Sequence, residues 1–159
     1  MKKHILSILL FVAAAFCVSA QDLSVLSKAA RAAYDYLASE GYKPTVDEDT
    51  DVIFKAQGIM FYIDNYPQDE TYLKVVLPEI EGIDVNNDKE LFAALSACNE
   101  ICRTKKLIQA FMWEDGTIEF STSSYIGASA EVGEMVENSV DFMIRAVSAW
   151  VEAYNKALN

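Results

Sequence analysis

Apolar residues recur at helical spacing first at Leu26, Ala29, Ala30, Ala33 and Leu37, and Gly41 just after Glu40 stops the pattern. This predicts a first helix. Residues 44–47, 52–57 and 59–64 are short runs rich in β-branched and aromatic side chains, with Gly58 marking a tight reversal. Residues 71–77 predict a further strand, which Pro78 is expected to close. Asn87 followed three residues later by Glu90 has the form of a capping box. It opens a second helix ending at Arg103, Lys105 and Lys106, where the C-terminal dipole favours cations.

Residues 107–113 and 118–125 flank Asp115-Gly116, the preferred pair for a two-residue type I′ turn. That register sets Trp113 opposite Ile118 and Phe111 opposite Phe120 on one sheet face, with Met112, Glu119, Ala110 and Ser121 on the other. A last helix is expected over residues 130–158, with Val132, Val136, Val140, Met143, Val147, Trp150 and Tyr154 in phase. The expected fold is α+β: an antiparallel sheet of about five strands covered on one face by three helices, in the order α-β-β-β-α-β-β-α. Met135, Phe142, Ala146, Ala149 and Ala153 form a second apolar stripe on the last helix. Either a second copy of the chain covers this stripe as a twofold homodimer, or the first helix packs along it and leaves a monomer.

The N-terminus changes the picture. Lys2 and Lys3 precede an uncharged apolar run from Ile5 to Val18, too short to span a bilayer, and Val18-Ser19-Ala20 suits a signal peptidase. Residues 1–20 are therefore expected to be a signal peptide cleaved after Ala20, which would place a mature domain of residues 21–159 in the periplasm or outside the cell. Cys17 offers a lipoprotein alternative, but Phe16 precedes it where lipid attachment prefers a small residue. Cleavage would leave 11 basic residues against 24 acidic ones. Such a charge disfavours nucleic acid and anionic membranes as partners. No second apolar span follows to anchor the mature chain.

Candidate chemistry is sparse. The one histidine, His4, lies in the signal segment, which removes histidine bases, the usual triads and the commonest zinc sites from the mature chain. No glycine-rich phosphate loop occurs, and no cofactor is expected. Cys98 and Cys102 fall with Leu91 and Leu95 on what reads as the buried stripe of the second helix; an oxidised pair across one turn is the alternative. Asp47, Glu48, Asp49 and Asp51 resemble the start of a calcium loop. Val52 then stands where glycine is needed and Gly58 where a bidentate glutamate is needed. Glu114, Asp115 and Glu119 could serve as paired carboxylates, but the first two read as a hairpin tip and the third as pointing outward beside it. Tyr62, Tyr66 and Tyr72 could line a groove or fill cross-strand positions.

The stretch from Asp51 to Ile63, DVIFKAQGIMFYI, and that from Tyr72 to Pro78, YLKVVLP, resemble the early strands of the YbjN-like family. The resemblance implies a fold similar to type III secretion chaperones and a role in binding another polypeptide, with a sensory or regulatory task. With no catalytic group in evidence, a non-enzymatic protein-binding or chaperone-like module leads. A small-ligand carrier with a tyrosine-lined pocket comes second, and a hydrolase using carboxylates alone comes third.

Overall fold

The computed structural model describes residues 22–80, 82–127 and 131–159; the expected signal peptide lies outside them. A short 3-10 turn, Leu23–Val25, leads into α1, Lys28–Ser39. Ser27 caps α1, its Oγ accepting the Ala30 N–H at 3.2 Å. The helix ends where Gly41 takes φ +85° and the Tyr42 N–H returns to the Leu37 carbonyl at 3.0 Å. The strands β1 (Thr45–Val46), β2 (Val52–Ala56), β3 (Ile59–Asp64) and β4 (Tyr72–Ile80) follow. Next come α2 (Asp88–Thr104), β5 (Gln109–Met112), β6 (Ile118–Tyr125) and α3 (Val132–Leu158). Asn87 caps α2: its Oδ1 accepts from the Lys89 and Glu90 amides, and its Nδ2 donates to Glu90 Oε1 at 2.8 Å.

The strands form one antiparallel sheet of six, ordered β1-β2-β3-β4-β6-β5. The expected five become six because Thr45 and Val46 pair with Ile53 and Val52. Nor does Pro78 close β4. The strand runs on to Ile80 with its register slipping between Leu77 and Ile80, which is how a sheet accommodates a residue without an N–H.

The hairpin register differs from expectation by one residue. Met112 pairs with Ile118, Phe111 with Glu119 and Ala110 with Phe120. A type I′ turn needs positive φ at both central residues, and here Gly116, at +91°, has it while Asp115 does not. The chain instead makes a three-residue loop: the Gly116 N–H donates to the Trp113 carbonyl at 3.0 Å and the Trp113 N–H to the Thr117 carbonyl at 2.8 Å. One residue of slip exchanges the faces. Ala110, Ile118 and Phe120 are buried in the core, and Phe111, Trp113 and Glu119 turn to the other side.

All three helices contribute to the core on one face of the sheet. Alternate strand residues, among them Val52, Phe54, Phe61, Ile63, Leu73, Val75, Ile118 and Phe120, join Leu37 of α1, Ile101 of α2 and Met143 of α3 in one buried cluster. On α2 the buried stripe is Ala93, Ala94, Ala97, Cys98 and Ile101, whereas Leu95 and Cys102 are exposed. The leucine-bearing stripe was the wrong one. The alanines face inward, where small side chains allow close approach, and the bulkier Phe92 and Leu95 are left outside. Both cysteines are free. Cys98 receives the Trp150 indole N–H at 3.3 Å, and burial pushes its thiol above the usual range. Cys102 Sγ accepts the Ala110 N–H at 3.3 Å and donates to the Ala110 carbonyl at 3.4 Å, closing the backbone edge that β5 would otherwise present.

The hairpin loop carries a strict backbone requirement. A Cβ at Gly116 would lie 2.4 Å from the Ile83 carbonyl oxygen, whereas one at Gly58, also at positive φ, meets nothing within 4 Å. Gly58→Ala should cost about 1–2 kcal/mol of unfolding free energy from backbone strain alone. Gly116→Ala should cost a further ~1–3 kcal/mol for the overlap. Urea titrations of the two variants measure the difference.

Candidate functional site

The helices leave the second face of the sheet without a covering layer among the described residues. At its centre Lys74 of β4 stands directly across from Asp64 of β3, its Nζ donating to Asp64 Oδ2 at 2.7 Å. The same Nζ lies 3.3 Å from Glu119 Oε1 of β6, an ion contact only, and among the described residues that buried oxygen accepts no hydrogen bond. The three side chains are only 18%, 24% and 11% exposed. Burial alone would pull the Lys74 ammonium down. The hydrogen bond to Asp64 and the charges of Asp64 and Glu119 outweigh it and hold the group above the usual lysine range. Lys74 is thus a paired cation, unsuited to act as a base.

Aromatic side chains surround this cluster. Trp113 Nε1 donates to Glu119 Oε2 at 3.3 Å, and the Trp113 ring packs edge-on against Phe111 with centroids 5.0 Å apart. Tyr66 donates to Asp64 Oδ2 at 3.4 Å; burial first, and then the Asp64 charge, raise its phenol. Tyr66 meets Tyr72 edge-on at 4.9 Å, and Tyr72 meets Tyr125 across the β4–β6 pair at 5.4 Å. Trp113 and Tyr125 remain 52% and 70% exposed, and Met60 on β3 is 49% exposed. Ser121, on the same face as Glu119, is fully buried, and its hydroxyl has no partner among the described residues.

Tyr62, Tyr66 and Tyr72 thus belong to this face. A cavity of about 260 Å³ is lined instead by Tyr36 and Tyr42 together with Val136, Glu137 and Asp141. There the Tyr36 hydroxyl donates to Glu137, and that bond, with burial and nearby acidic charge, drives its phenol far up. Glu114 and Asp115 sit exposed at the hairpin tip as expected, but Glu119 does not point into water beside them. The acidic run near residue 50 is a capped turn: Asp47 Oδ1 accepts the Asp49 and Asp51 amides at 3.0 and 2.9 Å. Asp51 Oδ1 accepts the Asn65 amide at 2.7 Å, and burial raises its carboxyl. Among the described residues, no three His, Cys, Asp or Glu side chains are placed to hold a metal.

The proposed self-association stripe is divided. Ala146 is wholly buried and cannot serve an accessible face. Met135, Ala149 and Ala153 are half-buried against the core, and Phe142 is 37% exposed. Ala149 and Ala153 flank one groove with Ser96 and Ile101 of α2, whereas α1 meets α3 at Gly133 and Glu137.

Sequence reasoning missed the Lys74–Asp64–Glu119 cluster, although a lysine inside the apolar run YLKVVL was its visible sign. No family model matches the sequence, so the YbjN-like resemblance rests on its strand motifs, and no curated protein matches either. Among solved structures, the chain is similar to the Yersinia pestis type III secretion chaperone SycH, crystallised in complex with a stable fragment of YscM2. The match is 11% identical with a TM-score of 0.49, and it covers 76% of this chain and 98% of that one.

Replacing the central cation should expose the cluster's energetics. Lys74→Met leaves two desolvated carboxylates without their partner, a loss of about 2–4 kcal/mol at pH 7. In the unsubstituted protein the folded-state ammonium lies above its ordinary 10.5. Its contribution is therefore complete below that pH and fades as the pH climbs through the raised value. Unfolding free energies of both proteins at pH 7, and of the unsubstituted protein at a series of alkaline pH values, test both expectations.

Proposed function

We propose that this chain is an exported, non-enzymatic polypeptide-binding module, chaperone-like in that it holds a partner against the uncovered face of its sheet. The observation that carries the reading is a broad face on which large amphipathic side chains surround a desolvated ion cluster. Tyrosine, tryptophan and methionine supply contact area at modest entropic cost while keeping polar or polarizable atoms available, as protein interfaces require. Exposed Trp113, Tyr125 and Met60 provide the apolar contact. The fixed charges of Lys74, Asp64 and Glu119 provide register and discrimination. A face of this kind suits a chain laid across the strands better than a small molecule, which needs concavity.

Export completes the reading. The basic start, the short apolar run and Val18-Ser19-Ala20 support cleavage before Gln21 and a site of action in the periplasm or outside the cell.

A photo-crosslinking side chain placed at Tyr125 or Trp113, in protein produced from the full chain, should capture a defined partner in the envelope fraction. In the crosslinked product this chain should begin at Gln21. The same group at Val151, 41% exposed on α3, should capture nothing. Crosslinking from Val151 with silence at Tyr125 and Trp113 would place the contact elsewhere and defeat the reading.

A further inference from the structure

On the helical side of the sheet, away from the face just described, the connection between α2 and β5 brings an exposed leucine against α3. Leu107 is 72% exposed and holds φ +68°, a left-handed conformation that L side chains with bulk rarely adopt. Its neighbour Ile108 is buried. A groove of about 460 Å³ opens here, lined by Leu107, Ile108 and Phe142, and rimmed by Lys105, Lys106 and Arg145. A second hollow, also bordered by Leu107 and Phe142, continues the groove toward Ser124 of β6.

The electrostatics run against the rest of the molecule. The chain carries 24 acidic residues against 13 basic ones, yet three cations converge on this apolar groove. Arg145 has an exposed contact with Asp141 at 3.4 Å, worth little in water. Among the described residues, Lys105 and Lys106 make no ion pair within 4.0 Å. The dipole at the α2 C-terminus accounts for cations at residues 103–106, but Arg145 lies in the middle of α3, where no such field acts. Strained backbone, an apolar side chain held in water and a converging positive rim coincide at one place.

We infer that this groove is a second docking site, independent of the sheet face, for an acidic polypeptide segment that inserts one bulky apolar side chain between Leu107 and Phe142. The cations engage flanking carboxylates and steer the approach. A second copy of this chain fits poorly, because a twofold contact centred on Phe142 would bring the two sets of cations together.

The probe is a synthetic twelve-residue peptide rich in Asp and Glu with one central Trp, added to isotopically labelled protein produced from the full chain. Amide shifts should concentrate on residues 104–108 and 138–145, and affinity should fall as salt is raised. Leu107→Gly preserves the left-handed backbone and removes only an exposed side chain, so it should fold normally and bind at least about tenfold more weakly. Joint Lys105→Glu and Lys106→Glu replacement should weaken binding to a similar degree. Four results would overturn the inference: equal binding of the Asn/Gln version of the peptide, shifts confined to the sheet face, no saturable binding, or a homodimer in sedimentation that Leu107→Gly dissociates.

Discussion

Three helices can bury one face of a six-stranded sheet, and in this chain all three are used on the same face. Everything distinctive follows from that allocation. The core side is dry and close-packed, with alanines from α1 and α2 letting the helices approach and Trp150 tied to the Cys98 sulfur beneath them. Among the described residues, the other side is covered by its own side chains alone. Lys74, Asp64 and Glu119 stand at its centre, with tyrosine, phenylalanine and tryptophan spread around them. A buried ion pair contributes little net stability compared with apolar packing, so its presence at the middle strand is better understood as a device for specificity. That is the link from the sheet's architecture to the proposed binding role.

The edges of the sheet follow the same economy. The β5 edge, which could recruit a foreign strand, has the backbone of Ala110 occupied by the Cys102 thiol. The opposite edge is the two-residue β1, too short to template a partner. Strand addition at Ala110 or at β1 is thereby disfavoured, in keeping with the proposal that binding uses side-chain surfaces.

Much of the fold was legible because its local signals are strong. The Leu26–Leu37 stripe, the Asn87 cap, the Gly41 stop and the alternation in residues 52–64 place α1, α2, β2 and β3 within a residue or two of their observed bounds. The misreadings share one physical origin: a local rule was overridden by a neighbour the sequence does not reveal. Asp115-Gly116 resembles a two-residue turn, but with Asp115 outside the left-handed region the loop takes three residues, and the faces of the hairpin exchange. Leu91 and Leu95 look like the buried side of α2, yet the tight fit favours Ala93, Ala94 and Ala97. Pro78 looks terminal until the slip in register lets the strand pass through it. The candidate site was the least legible part. Lys74, Asp64 and Glu119 are separated by up to 55 positions in the chain, and only the pairing of β4 with both β3 and β6 brings them together.

A sheet face that is open in the free protein and available to a partner must be accessible to solvent-borne reagents. Hydroxyl-radical footprinting of the isolated protein tests that accessibility directly, because oxidation rates of aromatic and sulfur-containing side chains track their exposure. Trp113, Tyr125 and Met60 should be modified rapidly, while Trp150 and Met143, which are 1% and 0% exposed, should be protected. Protection of Trp113, Tyr125 and Met60 to the level of Trp150 would show that the face is already covered and would contradict the account.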